Sequence, residues 1–308
     1  MLDVPNERSL HSTPTPRAGG LAILIGIVVG VVIYHPVADN LGAVMIGLAL
    51  GTLVAISVLD DIRGTPVFLR LAVHFLSAAI VLAVGFGSYA LISAGARFSD
   101  VVLWLGALFF LVWMINLYNF MDGMDGFAGG MAVSGFATFG CLGWIVDSPS
   151  FMTLSFVIAA AAGGFLLFNF PPARIFMGDT GSSVLGFLAG ILILWADRLR
   201  LFPFWIGVLV FSPFIVDATV TLLRRLIAGE RVWEAHKTHY YQRLVQLGWG
   251  HRKTTLVEYT VMLLAALGAI VAVQSPSSIQ WLLIFVFVVL YFIAAVIIAA
   301  MEKRADCA

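Results

Sequence analysis

Charge is what this sequence has least of. Only 11% of its 308 residues are charged, 17 acidic and 17 basic, and the formal net charge is zero. A neutral chain has no bulk field to draw nucleic acid, so none is expected as a partner. Cysteine is equally scarce. Cys141 sits in an apolar run and Cys307 is next to last, which argues against a disulfide framework. No cleavable signal peptide is visible, because the first 17 residues are polar and proline-rich. A soluble domain, a low-complexity tract and a clear internal repeat are also missing.

Apolar residues fill the space. They make up 61% of the chain, and mean hydropathy is +1.02. Soluble domains run at about 45–50% apolar and about 25% charged, so the composition indicates a polytopic membrane protein. Roughly 20 apolar residues cross a bilayer. On that rule ten spans are expected, at about 18–36, 40–59, 70–92, 101–118, 127–146, 151–170, 181–199, 203–223, 254–273 and 279–301. All should be helices, since lipid satisfies no backbone group outside a helix or a closed barrel. The fold class is therefore all-α, with residues 1–308 as one integral membrane unit.

Lys and Arg set the orientation. The face holding both termini and the loops after even-numbered spans carries 14 of the 17 basic residues. Only Arg97, Arg198 and Arg200 fall on the other. Both termini are thus expected in the cytoplasm, with cytoplasmic loops at about 1–17, 60–70, 119–126, 171–180 and 224–253.

The unusual polar residues fall on that same face. Asn116-Leu-Tyr-Asn119-Phe-Met-Asp122-Gly-Met-Asp125-Gly126 follows span four, with two amides, two acids and two glycines in eleven residues. One Asp-Gly pair makes a turn; a repeated pair preceded by amides points to a site. Asp60-Asp61 ends span two, where the plain reading is a solvated helix end. Phe176-Met-Gly-Asp179-Thr-Gly-Ser182 precedes span seven, where Asp179 is a candidate N-cap and the helix start a candidate phosphate cradle. His236 and His239 follow span eight, with Tyr240, Tyr241 and Gln242 beside them. His11 and Arg17, in the proline-rich N-terminal segment, are placed to reach phosphate or to anchor the first span. Asp217 lies inside span eight, where acids face the protein interior.

Carboxylates gathered from several loops suit Mg²⁺, which takes oxygen ligands from one or two acids plus substrate phosphates. Asp60, Asp61, Asp122, Asp125 and Asp179 are the candidates, and Mn²⁺ is the alternative ion. From the residues alone, the expectation is a membrane enzyme with a metal and phosphate site at its cytoplasmic surface.

These motifs resemble those of the polyprenyl-phosphate N-acetylhexosamine-1-phosphate transferases, glycosyltransferase family 4. That family starts O-antigen, enterobacterial common antigen and teichoic acid synthesis, and includes the peptidoglycan translocase that makes lipid I. The resemblance rests on Asp3-Val-Pro-Asn-Glu-Arg through Gly19-Gly20, Asp60-Asp61, Asn119-x-x-Asp122-Gly-x-Asp125-Gly and Pro172-Ala-Arg-Ile-Phe-Met-Gly-Asp179-Thr-Gly-Ser. It implies transfer of a sugar 1-phosphate from a UDP-N-acetylhexosamine to undecaprenyl phosphate, with release of UMP, in a bacterial cytoplasmic membrane. It casts Asp179 as a Mg²⁺ ligand, with Asp122 as a second, and Asp60 and Asp61 as the pair that deprotonates or positions the lipid phosphate. Asn119, Asp122, Asp125 and Phe176 are cast as the nucleotide-sugar pocket, His239 as catalytic, and His11, Arg17 and His236 as substrate contacts. Two departures stand out. His239-Tyr-Tyr-Gln replaces the usual His-x-His-His run, and relatives carry one more helix before the Asp3 motif, so an upstream helix is expected. The sugar is not legible, with N-acetylglucosamine, N-acetylfucosamine and N-acetylquinovosamine open. Oligomeric state is not legible either, and a homodimer stays open. A CDP-alcohol phosphatidyltransferase and a secondary transporter are the competing readings.

Overall fold

The computed structural model describes residues 2–3, 14–34, 41–85, 98–231 and 236–306. Two short strands, β1 (Leu2–Asp3) and β2 (Thr15–Pro16), pair antiparallel. The rest is helix: α1 (Gly19–Tyr34), α2 (Leu41–Arg63), α3 (Val67–Gly85), α4 (Phe98–Phe120), α5 (Phe127–Ile145), α6 (Pro149–Asn169) and α7 (Gly178–Arg198). There follow α8 (Phe204–Val210), α9 (Ser212–Ile227), α10 (Tyr240–Leu244), a single π turn (Val245–Trp249), α11 (Gly250–Val273) and α12 (Ser277–Asp306).

Every expected span coincides with a helical segment, but two need correction. Among the described residues eight helices are long and apolar enough to cross a membrane, and α1, at 16 residues, falls short of that length. The eighth expected span is not one straight helix. It breaks at Phe211 into α8 and α9, which meet at 85°. The break has a local cause. Pro213 opens α9 and has no N–H to continue the ladder of α8. Counted as one span, the pair raises the number to nine. The multi-pass helical membrane architecture stands.

An aromatic column fills the centre. Tyr241, Phe127, Phe214 and Tyr118 pack ring on ring at centroid distances of 4.9, 4.7 and 5.1 Å. Phe136, Phe139, Phe151, Phe202 and Phe211 continue the core, and all five rings are at most 3% exposed. Apolar burial supplies little drive inside lipid, so small residues and close packing carry helix association. Gly20 and Gly181 show this: a Cβ on Gly20 would lie 2.3 Å from the Gly181 nitrogen, and Gly20 N–H donates to the Met177 carbonyl at 2.8 Å. This contact locks α1 against the start of α7. The outer faces of α3 and α12 remain apolar and exposed, as lipid-facing surfaces should.

Candidate active site

The four polar clusters meet at one end of the helices. Asp60 and Asp61 occupy the last turn of α2. The chain reverses through Gly64, whose N–H donates to the Asp60 carbonyl at 2.9 Å, and α3 begins three residues later. Asp60 Oδ1 accepts from the Thr65 backbone N–H (2.6 Å) and hydroxyl (2.7 Å). Its Oδ2 accepts from Arg70 Nη1 at 2.6 Å, and the same Nη1 donates to Asp179 Oδ2 at 3.1 Å. One guanidinium thus ties acids from two helices. The Asp60 side chain is 11% exposed, Asp179 27% and Arg70 30%, so the cluster opens on its Asp179 and Arg70 side.

Asp61 does different work. Its Oδ1 accepts from Asp179 N–H at 2.9 Å, and its Oδ2 from Thr180 N–H at 3.0 Å and the Thr180 hydroxyl at 2.6 Å. Asp61 therefore caps α7 from a neighbouring helix and places a negative charge on its N-terminus, where the helix dipole favours it. The expectation that Asp179 is itself the N-cap is corrected: Asp179 sits within the first turn, and its carboxylate turns to Arg70. Gly178 explains the local sequence. Its φ of 73° suits only glycine, and a Cβ there would lie 2.9 Å from Asp61 Oδ1.

Asn119, near the end of α4, donates to Ser182 Oγ at 3.1 Å and lines the same cavity as Asp179. A cavity of about 130 Å³ opens beside this cluster, lined by Arg70, His74, Asn116, Asn119, Asp179 and Ser183, with Ile56, Val67, Leu71 and Phe120 as its apolar wall.

The second Asp-Gly pair holds loops together. Asp125 Oδ2 accepts from Ala173 N–H at 3.0 Å, and Oδ1 lies 3.1 Å from His251 Nδ1. Asn169 accepts from Gly126 N–H at 2.9 Å, and the Tyr259 hydroxyl donates to the Gly126 carbonyl at 2.7 Å. Asp122 lies where its charge acts on the Tyr118 and Tyr241 hydroxyls. Phe176 is half-buried, and its N–H donates to the Pro16 carbonyl at 2.8 Å. Arg17 pairs with Phe176 in a parallel bridge, so residues 16–17 lie along the chain just before α7. His11 lies outside the described residues.

The histidines form a third group. His239 is 3% exposed and starts α10. Asp217 Oδ1 lies 3.2 Å from His239 Nδ1 and accepts from Tyr240 N–H at 2.9 Å. Its Oδ2 accepts from Tyr241 N–H at 3.1 Å. Asp217 thus caps α10 and orients the histidine at once. The Phe120 ring stacks on His239 at 6.4 Å, and the His236 ring lies 4.8 Å from it. Burial and the nearby His239 and Arg225 push His236 down to about 4, so it is neutral at pH 7. On the outer side Arg243 pairs with Glu302 of α12.

Arg70 and Thr65 were not foreseen from the sequence. The sequence counts Arg70 only among the 14 basic residues of one face, although a lone cation in the first turns of an apolar helix, ten residues after Asp60, is a usable signal.

Among the described residues, no three or more of His, Cys, Asp and Glu gather to hold a metal by themselves. A closed three-ligand protein cage is therefore not built here. The donor set at Asp179 and Asp60 is all oxygen, with one acid partly open, which fits an ion that takes one or two carboxylates and completes its shell with water and substrate.

A family model described as glycosyl transferase family 4 matches residues 43–197. The chain is 30% identical to a probable undecaprenyl-phosphate N-acetylglucosaminyl 1-phosphate transferase of Bacillus subtilis, over 98% of this chain and 86% of that protein. It is 31% identical to a decaprenyl-phosphate N-acetylglucosaminephosphotransferase of Mycobacterium tuberculosis, over 86% and 74%. An undecaprenyl-phosphate alpha-N-acetylglucosaminyl 1-phosphate transferase of Escherichia coli is 27% identical, over 95% and 82%. A helical membrane bundle with acids from the ends of two helices on one guanidinium, matched along almost its whole length, belongs to glycosyl transferase family 4.

Proposed function

We propose that this protein transfers an N-acetylhexosamine 1-phosphate from a UDP-sugar to undecaprenyl phosphate in a bacterial cytoplasmic membrane, releasing UMP. The observation that carries the reading is Arg70 bridging Asp60 and Asp179 beside a polar cavity. The names of the relatives make N-acetylglucosamine the first sugar to test. An oxygen of the lipid phosphate bonds to the β-phosphorus, the diphosphate P–O bond breaks, and its electrons leave with UMP.

Such a transfer asks the protein for position and charge rather than covalent chemistry. Asp179, with Asp60 behind it, would hold Mg²⁺, which when bound offsets the charge of the diphosphate. Arg70 supplies a fixed positive charge on the open side of the cluster. Asn119, tied to Ser182 of α7, supplies an amide to the cavity beside Asp179. Asp61 fixes the start of α7 and so the position of Asp179. Asp125 acts through the loops it joins, and Phe176 offers a ring for a base to stack on. His239, held by Asp217, would bond the leaving phosphate. The test is UMP release by purified protein given undecaprenyl phosphate and UDP-N-acetylglucosamine, UDP-N-acetylfucosamine or UDP-N-acetylquinovosamine. UMP formed only when both substrates are present supports the reading; no UMP from any donor overturns it.

A further inference from the structure

His74 lies in α3, one turn beyond Arg70. It is 6% exposed and lines the same cavity as Arg70 and Asp179. Its tautomer follows from its neighbour. Asn116 Nδ2 donates to the Val112 carbonyl at 2.7 Å, and a carbonyl only accepts, so that atom is the amide nitrogen. Nδ2 also lies 3.3 Å from His74 Nδ1. Its second hydrogen faces Nδ1, which is therefore the accepting, unprotonated nitrogen. The proton of the neutral ring sits on Nε2. Among the described residues no group accepts a hydrogen bond from Nε2. Among the described residues the buried side-chain polar atom left without a partner is Ser155 Oγ, so Nε2 is not sealed in the core: it is open to the cavity that the ring borders.

We infer that the Nε2–H of His74 donates a hydrogen bond to the phosphate of the lipid acceptor. The inference rests on the transferase reading above and names the half of the site that holds the lipid. Two observations, the size of the cavity and its apolar wall, select the acceptor over the nucleotide sugar. The cavity, at about 130 Å³, is well below the roughly 300 Å³ where pockets for whole small molecules begin, so it takes one group. Arg70, shared with Asp60 and Asp179, suits the phosphate of either substrate. The cavity's apolar wall of Ile56, Val67 and Leu71 continues outward to the exposed Leu59 and Phe68, the side from which a prenyl chain would arrive. A neutral donor adds a bond to phosphate without competing with Asp60 and Asp179 for Arg70.

The test compares His74→Leu, His74→Gln and wild type in UMP release, with undecaprenyl phosphate and the UDP-sugar varied in turn. A hydrogen bond to a charged group is worth about ten- to a hundredfold in binding. His74→Leu should raise KM for undecaprenyl phosphate by that much and leave KM for the UDP-sugar within twofold. His74→Gln, whose amide N–H reaches about as far as Nε2–H, should restore most of the loss. A rise confined to the UDP-sugar KM, or unchanged KM values for both, overturns the inference while leaving the transferase reading intact. Absence of UMP release by wild type is a failure of the transferase reading instead. If His74→Leu does not fold, His74→Asn decides: it retains a polar group towards Asn116 but is too short for the cavity, so a normal acceptor KM contradicts the inference.

Discussion

At the scale of single residues, the acids that look alike in sequence divide into two kinds. Asp61, Asp125 and Asp217 each accept from at least one backbone N–H of another segment. Asp60 and Asp179 share a guanidinium and face the cavity side. Asp217 is the most informative of the first kind, because it holds a helix start and a histidine together. Replacing it with Asn keeps the shape but sets an amide N–H₂ against backbone donors. We expect Asp217→Asn to lose about 1–3 kcal/mol of stability, the cost of an unpaired buried donor, and at least about tenfold in turnover through His239. Melting and UMP release on one purified variant check this. A lower melting temperature with normal turnover would reduce Asp217 to a structural cap. Sequence marked Asp60, Asp61, Asp122, Asp125 and Asp179 together, since their spacing beside apolar runs is unusual. It could not sort them, because which oxygen meets which N–H depends on contacts more than a hundred residues apart, as between Asp61 and Thr180.

At the scale of elements, hydropathy located the long apolar helices but neither α10, which lies within the expected loop 224–253, nor the break between α8 and α9. A long apolar run reads the same whether straight or bent by 85°. Pro213 was the available sign, and it also fits the start of a straight helix. Glycine patterns were harder to read still, since 30 glycines include both packed and idle ones. Gly20 and Gly181 touch, whereas Gly51 of α2 has open space where a side chain would go. Gly20→Val should therefore lower the melting temperature by several degrees and reduce activity, because α1 would be pushed from the start of α7 that carries Asp179. Gly51→Val should leave both nearly unchanged. Equal melting curves for the two variants would show that the α1–α7 contact does not hold the site.

At the scale of the whole molecule, hydropathy and the distribution of basic residues indicated that the polar clusters share one side, and the structure joins them by direct contacts from Asp61 to Thr180 and from Phe120 to His239. The competing transporter reading expects a site at the midplane on broken helices. Here the only bent pair among the described residues sends its acid to α10, at the loop end. With 14 of 17 basic residues on that side, it is expected to face the cytoplasm. Single cysteines at Lys237 and Lys303, in a background lacking Cys141 and Cys307, should resist impermeant thiol reagents in intact cells; ready labelling at both would reverse the map. The most direct test of the account is Asp179→Asn. Asn matches the shape of Asp and leaves the Asp61 cap intact, since that cap uses the backbone N–H of residue 179. It removes the charge that faces Arg70 and that would hold Mg²⁺. UMP release and thermal unfolding are measured on the same purified variant while Mg²⁺ is titrated. The account predicts turnover lowered by about two orders of magnitude or more, as loss of several kcal/mol of charge stabilisation requires, with a melting curve close to wild type. Near-normal turnover at limiting Mg²⁺ would contradict it.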